Sequence, residues 1–332
     1  MVATLHDVAR LAGVSFKTVS NVVNDYPHVR PSTRQRVQEA IAELGYQPNL
    51  SARSLRSGRS DAISLAVPEL RLPYFAELAD EVIRAAERRG LVVLIEQTNR
   101  DRKRELDLLG SARLRMVDGL LFSPLGLSAA DASLVEIDTP LVLLGERIFH
   151  PSVDHVTMQN VAAAKAATEH LLARGRRRIA VVGSHPGEVI GSAGLRLQGY
   201  RAALDAAGIP FDERLLGPAE LWHRREGAEA AQALIASGVD FDAVFAFNDT
   251  LALGAMHALI AAGRRVPDDV AVIGFDNTDD GMFSQPTLTT VDPGRREIAE
   301  RAVEAVVQRI ADRGIAPQHV EVGYSIVQRE ST

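Results

Sequence analysis

The chain has 332 residues, 46% of them hydrophobic and 24% charged, and it contains no cysteine. That length predicts two or three structural units with enough buried surface to need no cross-links, and the lack of cysteine excludes disulfides, thiolate metal sites and cysteine nucleophiles. The net charge of −6 hides an asymmetry: residues 1–60 carry eight basic and four acidic side chains and the remainder carries 29 and 39, so a basic head suited to a polyanion precedes an acidic body. No stretch approaches the ~18 apolar residues of a membrane span, and MVATLHDVAR lacks an apolar leader, so the expectation is a cytoplasmic protein.

In the head, Thr4 with Asp7 predicts a capping box, with Val8 and Leu11 on one face until Gly13 ends the helix. Ser15 caps a second helix that turns Val19, Val22 and Val23 inward. Ser32 with Gln35 predicts another capping box, followed by a Val37, Ile41 and Leu44 stripe that stops at Gly45. Three short helices with a tight Gly13-Val14 turn read as helix-turn-helix.

The stretches TLHDVARLAGVSFKTVSNVVN (Thr4–Asn24) and VRPSTRQRVQEAIAELGYQPNLSARSLRSGR (Val29–Arg59) closely resemble the lactose-repressor (LacI/GalR) family of bacterial transcription regulators, over the whole head without a gap. The resemblance implies that the second helix enters the major groove and that Phe16, Lys17 and Asn21 choose bases. Lys17 can donate to guanine O6/N7, Asn21 can pair with adenine, and Phe16 can touch a thymine methyl. Read blandly, Lys17 and Asn21 are solvated surface; against this, the chain has only three lysines to 34 arginines, so a lysine here looks chosen. Ser15, Thr18 and Ser20 suit phosphates, and Thr4, Asn24, Ala52, Arg53 and Arg56 complete the DNA-facing set. Between Asn49 and Gly58 lie about two turns of helix, too short to be stable alone. Within it Leu55 either wedges into a minor-groove base step, as the resemblance implies, or packs on the body.

From Asp61 onward, apolar runs at 62–68, 91–97, 117–123, 140–146, 178–184, 243–249 and 270–276 alternate with helical patterns such as 75–89, 160–174, 195–207, 225–237, 250–262 and 295–311. This predicts α/β architecture with parallel sheets in two subdomains, which the resemblance identifies with a periplasmic-binding-protein-like body. The expected organisation is a helix-turn-helix domain (1–48), a hinge (49–60) and an effector-binding and dimerisation domain (61–332). Within that last domain, one subdomain takes about 61–160 and 292–318, and the other about 161–291 and 319–332. The last strand pattern runs on to Thr332 with no heptad tail, which predicts a homodimer on a pseudopalindromic double-stranded operator.

Ligands of such sheets bind beyond the carboxyl ends of the strands. Tyr74, Phe75, Arg196, Trp222, Asn248 and Asp276 fall at such positions, and the resemblance implies that they contact the effector. A flat aromatic face (Trp222 or Phe75) and charged groups (Arg196 and Asp276) suit a sugar or glycoside, with a nucleobase as runner-up. Asp249 either caps a helix or touches ligand, and Tyr74 and Phe75 either line the site or serve as core. Glu146 and Arg147 are left out of the site, because Gly-Glu-Arg stands where relatives often carry an aspartate before the arginine. No cofactor or metal motif is present. A ligand-responsive repressor is the leading reading; the alternatives are a transport solute-binding protein and a hydrolase with Asp249 and Asp276 as its carboxylate pair.

Overall fold

The structure, a computed structural model, describes residues 3–23, 26–46 and 59–332. The chain divides into two units, residues 1–60 and 61–332.

The first unit contains α1 (Leu5–Ala12), α2 (Phe16–Val23) and α3 (Pro31–Leu44). Thr4 Oγ1 accepts from the Asp7 amide at 3.3 Å while the Asp7 carboxylate accepts from the Thr4 amide at 3.0 Å, satisfying two backbone donors reciprocally. Gly13 ends α1 at a φ of 64°, a conformation that a Cβ would strain. Ser15 Oγ then accepts from the Thr18 amide at 3.1 Å to start α2. The Ser32–Gln35 box does not form: α3 begins at Pro31, and Gln35 donates to Glu39 instead, at 3.0 Å. Proline's fixed φ and missing N–H suit the first helical position, which explains the earlier start. Val8, Val19, Val22 and Val37 form the core with Ala9, Ala12, Ala40 and Tyr46. Leu11 and Leu44, expected inside, are exposed.

The second unit opens with β1 (Ala62–Val67), α4 (Pro73–Glu87), β2 (Val92–Gln97), α5 (Arg102–Leu109), β3 (Gly119–Phe122), β4 (Leu141–Leu144) and β5 (Asp154–Met158). Next come α6 (Asn160–Ala173), β6 (Ile179–Ser184), α7 (Ser192–Ala206), β7 (Leu216–Pro218), α8 (Arg224–Ala236), β8 (Ala243–Ala246) and α9 (Asp249–Ala261). The chain ends with β9 (Ala271–Phe275), β10 (Thr289–Asp292), α10 (Arg295–Ala311), β11 (His319–Val322) and β12 (Ser325–Val327).

These strands build two six-stranded sheets. The first runs β11-β5-β4-β3-β1-β2 and is parallel throughout; the second runs β12-β10-β9-β8-β6-β7, with only β12 antiparallel. The chain therefore passes between sheets three times, after β5, β10 and β11. The sequence boundary at 319 needs correction: β11 pairs with β5 in the first sheet, and only β12 returns to the second. The last strand pattern is thus two short strands. Its last crossover comes at Gly323-Tyr324, between the two pairings.

Packing fixes where the helix ends fall. A Cβ at Gly199 of α7 would meet the Val161 carbonyl at 2.2 Å, and one at Gly254 of α9 would meet the Arg224 carbonyl at 2.0 Å. Both glycines let paired helices approach backbone to backbone, which sets the positions of the α7 and α9 N-termini at the carboxyl edge of the second sheet. No helix among the described residues is long and apolar enough to cross a membrane.

Candidate functional site

In the first unit, α2 exposes Phe16 and Lys17 and leaves Asn21 half-buried, with Val19 and Val22 turned inward. Lys17 and Asn21 are four residues apart and therefore share a helix face. Phe16 stacks on His6 with centroids 4.8 Å apart, leaving an aromatic ring 42% exposed beside the lysine. Ser15 is exposed, but its hydroxyl is engaged by the Thr18 hydroxyl at 2.9 Å. Ser20 corrects the expectation: beside Val19 it is buried, so its hydroxyl is not offered to a phosphate. Asn24, Ala52, Arg53, Leu55 and Arg56 lie outside the described residues.

In the second unit, Tyr74, Phe75, Arg196, Trp222, Asn248 and Asp276 all line one cavity of about 150 Å³. Tyr74 and Phe75 come from the first turn of α4, beyond β1, and their rings meet edge to face at 5.2 Å. Arg196 lies on α7, Trp222 on the connection from β7 to α8, and Asn248 and Asp276 just past β8 and β9. The cavity thus sits between the sheets, at the carboxyl ends of their strands.

Arg196 is the most constrained group. It is buried, with its guanidinium carbon 3.6 Å from the Phe275 ring centroid and 5.3 Å from that of Trp222. Its Nε donates to Asn160 Oδ1 at 2.8 Å, its Nη1 donates to the Phe247 carbonyl, and its Nη2 lies 3.7 Å from Asp276. Burial pushes the Asp276 carboxyl up to about 8, against the pull of Arg196. Burial also lowers Arg196, and it raises the Tyr74 hydroxyl together with the nearby Asp276 and Glu146. Such a site strengthens any hydrogen bond a ligand makes.

Other assignments change. Asn248, not Asp249, caps α9, accepting from the Leu251 amide at 2.7 Å. Asp249 is fully buried; it accepts from the Thr278 amide at 2.7 Å and from both Thr278 and Thr290 hydroxyls, while burial pushes it up to about 7. Of the two proposed hydrolytic carboxylates, only Asp276 lines the cavity. Trp222 donates its indole N–H to the Gly183 carbonyl at 3.1 Å, leaving the ring as its contribution.

Glu146 and Arg147, set aside in the sequence, both line the cavity. Glu146 accepts from Asn160 and, at 3.0 Å, from Ser192 Oγ, which joins the end of β4 to the start of α7. A glutamate has one methylene more than aspartate, and that reach spans the gap. Arg147 pairs with Glu188 at 3.2 Å, and Glu188 in turn with His185 at 2.9 Å. Burial works to raise Glu188, yet the His185 hydrogen bond and Arg147 hold it below its ordinary value. The signal for Glu146 was its place at the carboxyl end of a strand; for Glu188 and His185 no pattern marks it. Thr157 contributes to the cavity wall, while its Oγ1 is buried without a hydrogen-bond partner among the described residues.

Comparison with known proteins adds to this geometry. Residues 4–49 match the profile described as bacterial regulatory proteins, lacI family, and residues 168–332 match a periplasmic binding protein-like domain. The HTH-type transcriptional regulator CelR of Thermobifida fusca is 35% identical over 338 residues, covering 99% of this chain and 98% of the relative. DegA of Bacillus subtilis, also an HTH-type transcriptional regulator, is 33% identical over 340 residues, covering 100% and 98%. Among solved structures, a LacI-family regulator from Sanguibacter keddieii is 52% identical with a TM-score of 0.77, covering 82% of this chain and 98% of that one. A CelR–cellobiose complex is 32% identical with a TM-score of 0.74, covering 99% and 100%. The lac repressor dimer bound to operator is 28% identical with a TM-score of 0.86, covering 100% and 99%.

Proposed function

Because the chain belongs to the lacI family of bacterial regulatory proteins, and is a DNA-binding transcriptional regulator, we propose that it is a repressor whose operator affinity is set by a neutral sugar or glycoside held between the subdomains of its body. The observation that carries this reading is the cavity itself. Arginines 100, 147 and 196 share its wall with the carboxyl groups of residues 146, 188 and 276, so neither sign of charge dominates and a ligand without net charge is favoured. Phe75 and Trp222 offer flat faces for the C–H side of a ring. The complex of CelR with cellobiose supports the ligand class.

A two-fold dimer places two α2 helices on a pseudopalindromic operator. The lac repressor dimer on operator supports this arrangement. So does the edge strand β2, where Val92, Leu94 and Ile95 are exposed although an isolated sheet edge avoids such residues. A ligand changes DNA affinity only by binding the two states differently, and release on sugar binding is the direction proposed here.

Thermal unfolding of the full chain against a carbohydrate and nucleobase panel tests the ligand class. A ligand at about 100 times its Kd adds ~2.7 kcal/mol of stability, so the cognate sugar raises Tm by several degrees. Stabilisation by nucleobases alone contradicts the reading.

A further inference from the structure

Arg295 opens α10 where the chain leaves the second sheet. Its Nη1 donates to the Asp276 carbonyl at 2.7 Å, and its Nη2 pairs with Glu77 and reaches the Asn277 carbonyl at 3.4 Å. Glu77 stands on α4, in the first subdomain, and accepts from the Asp279 amide at 3.1 Å. One ion pair therefore gathers three backbone groups of the turn that follows β9 in the second subdomain. Neither side chain lines the cavity.

That turn needs holding. Asp276 has a φ of 109° and Asn277 one of 50°. Left-handed backbone costs non-glycine residues about 1–3 kcal/mol and persists only where the surroundings over-determine it. Asn277 is fixed through its side chain, by Asp292 at 3.0 Å and Arg329 at 2.7 Å. The Asp276 carbonyl is fixed by Arg295. Arg295 Nε is buried without a partner among the described residues, so the guanidinium stays in place for its other contacts at some cost.

We propose that Arg295, anchored by Glu77, is a positioning residue for the cleft: it holds Asp276 in the left-handed conformation that turns its carboxyl into the cavity. Because Glu77 belongs to one subdomain and the turn to the other, the aim of that carboxyl depends on how the subdomains are set. This rests on the reading of the cavity as the ligand site. It makes ligand affinity sensitive to closure through a pair that touches no ligand.

The test uses the full chain with Arg295→Met, Arg295→Lys and Glu77→Ala. Amide exchange over 274–282 is followed, and cellobiose, glucose and ribose are titrated against the emission of Trp222, the sole tryptophan. In Arg295→Met and Glu77→Ala, exchange confined to the turn rises about tenfold or more. The half-saturating concentration of the responding sugar rises about tenfold as well, Lys restores part of it, and the double variant is no worse than either single one. Unchanged exchange, a rise spread evenly over the body, or a loosened turn with unaltered sugar affinity overturns the proposal. If no sugar moves Trp222 emission in the unmodified chain, the ligand reading fails. The exchange arm then decides on its own: a rise confined to the turn supports the Arg295 clamp and an unchanged turn overturns it.

Discussion

Arg196→Ala leaves operator binding within about twofold and abolishes the response to sugar, because breaking a buried, hydrogen-bonded charge contact costs ~2–5 kcal/mol of binding. Arg196 is the group through which most of the wall is organised: Asn160, the Phe247 carbonyl, Asp276 and two aromatic faces converge on it. Truncation removes the guanidinium that lies 3.7 Å from the Asp276 carboxyl. The response is read as operator release in fluorescence anisotropy at rising sugar concentration. A normal release curve removes Arg196 from the site.

Lys17→Ala weakens specific operator binding about 5- to 150-fold, the ~1–3 kcal/mol of one bidentate base contact, and leaves non-specific binding nearly unchanged. Lys17 and Asn21 share the outward face of α2, and Phe16 extends that face. The measurement compares cognate and scrambled duplexes across salt concentrations. If Lys17 instead neutralises a phosphate, both affinities fall together and the salt slope drops by about 0.9.

Much of the fold was legible because its strands are buried on both faces and read as continuous apolar runs. The strands at β1, β6, β8 and β9 and the helix at α10 come out nearly where the pattern places them. β5 did not, because Asp154 and His155 sit inside it; the structure buries Asp154 by pairing it with Arg309 at 2.8 Å, a partner 155 residues away. β7 is three residues long and contains Gly217 and Pro218, too short for a period. In the cavity, residues at strand ends were readable from position alone, which is why the six expected side chains meet there. Glu146 and Glu188 were not, because their roles come from partners on other elements: Ser192 for Glu146 and Arg147 for Glu188. Ser20 was misplaced because periodicity in an eight-residue helix does not separate a half-covered position from a buried one.

In the proposed repressor, the cleft and the DNA-reading helix answer to one equilibrium. The direct test measures the sugar Kd, through Trp222 emission, for the free protein and for the protein saturated with operator. The account predicts weaker sugar binding on DNA by about 5- to 150-fold, matching the factor by which saturating sugar weakens the operator Kd. Equal sugar affinity in the two states contradicts it.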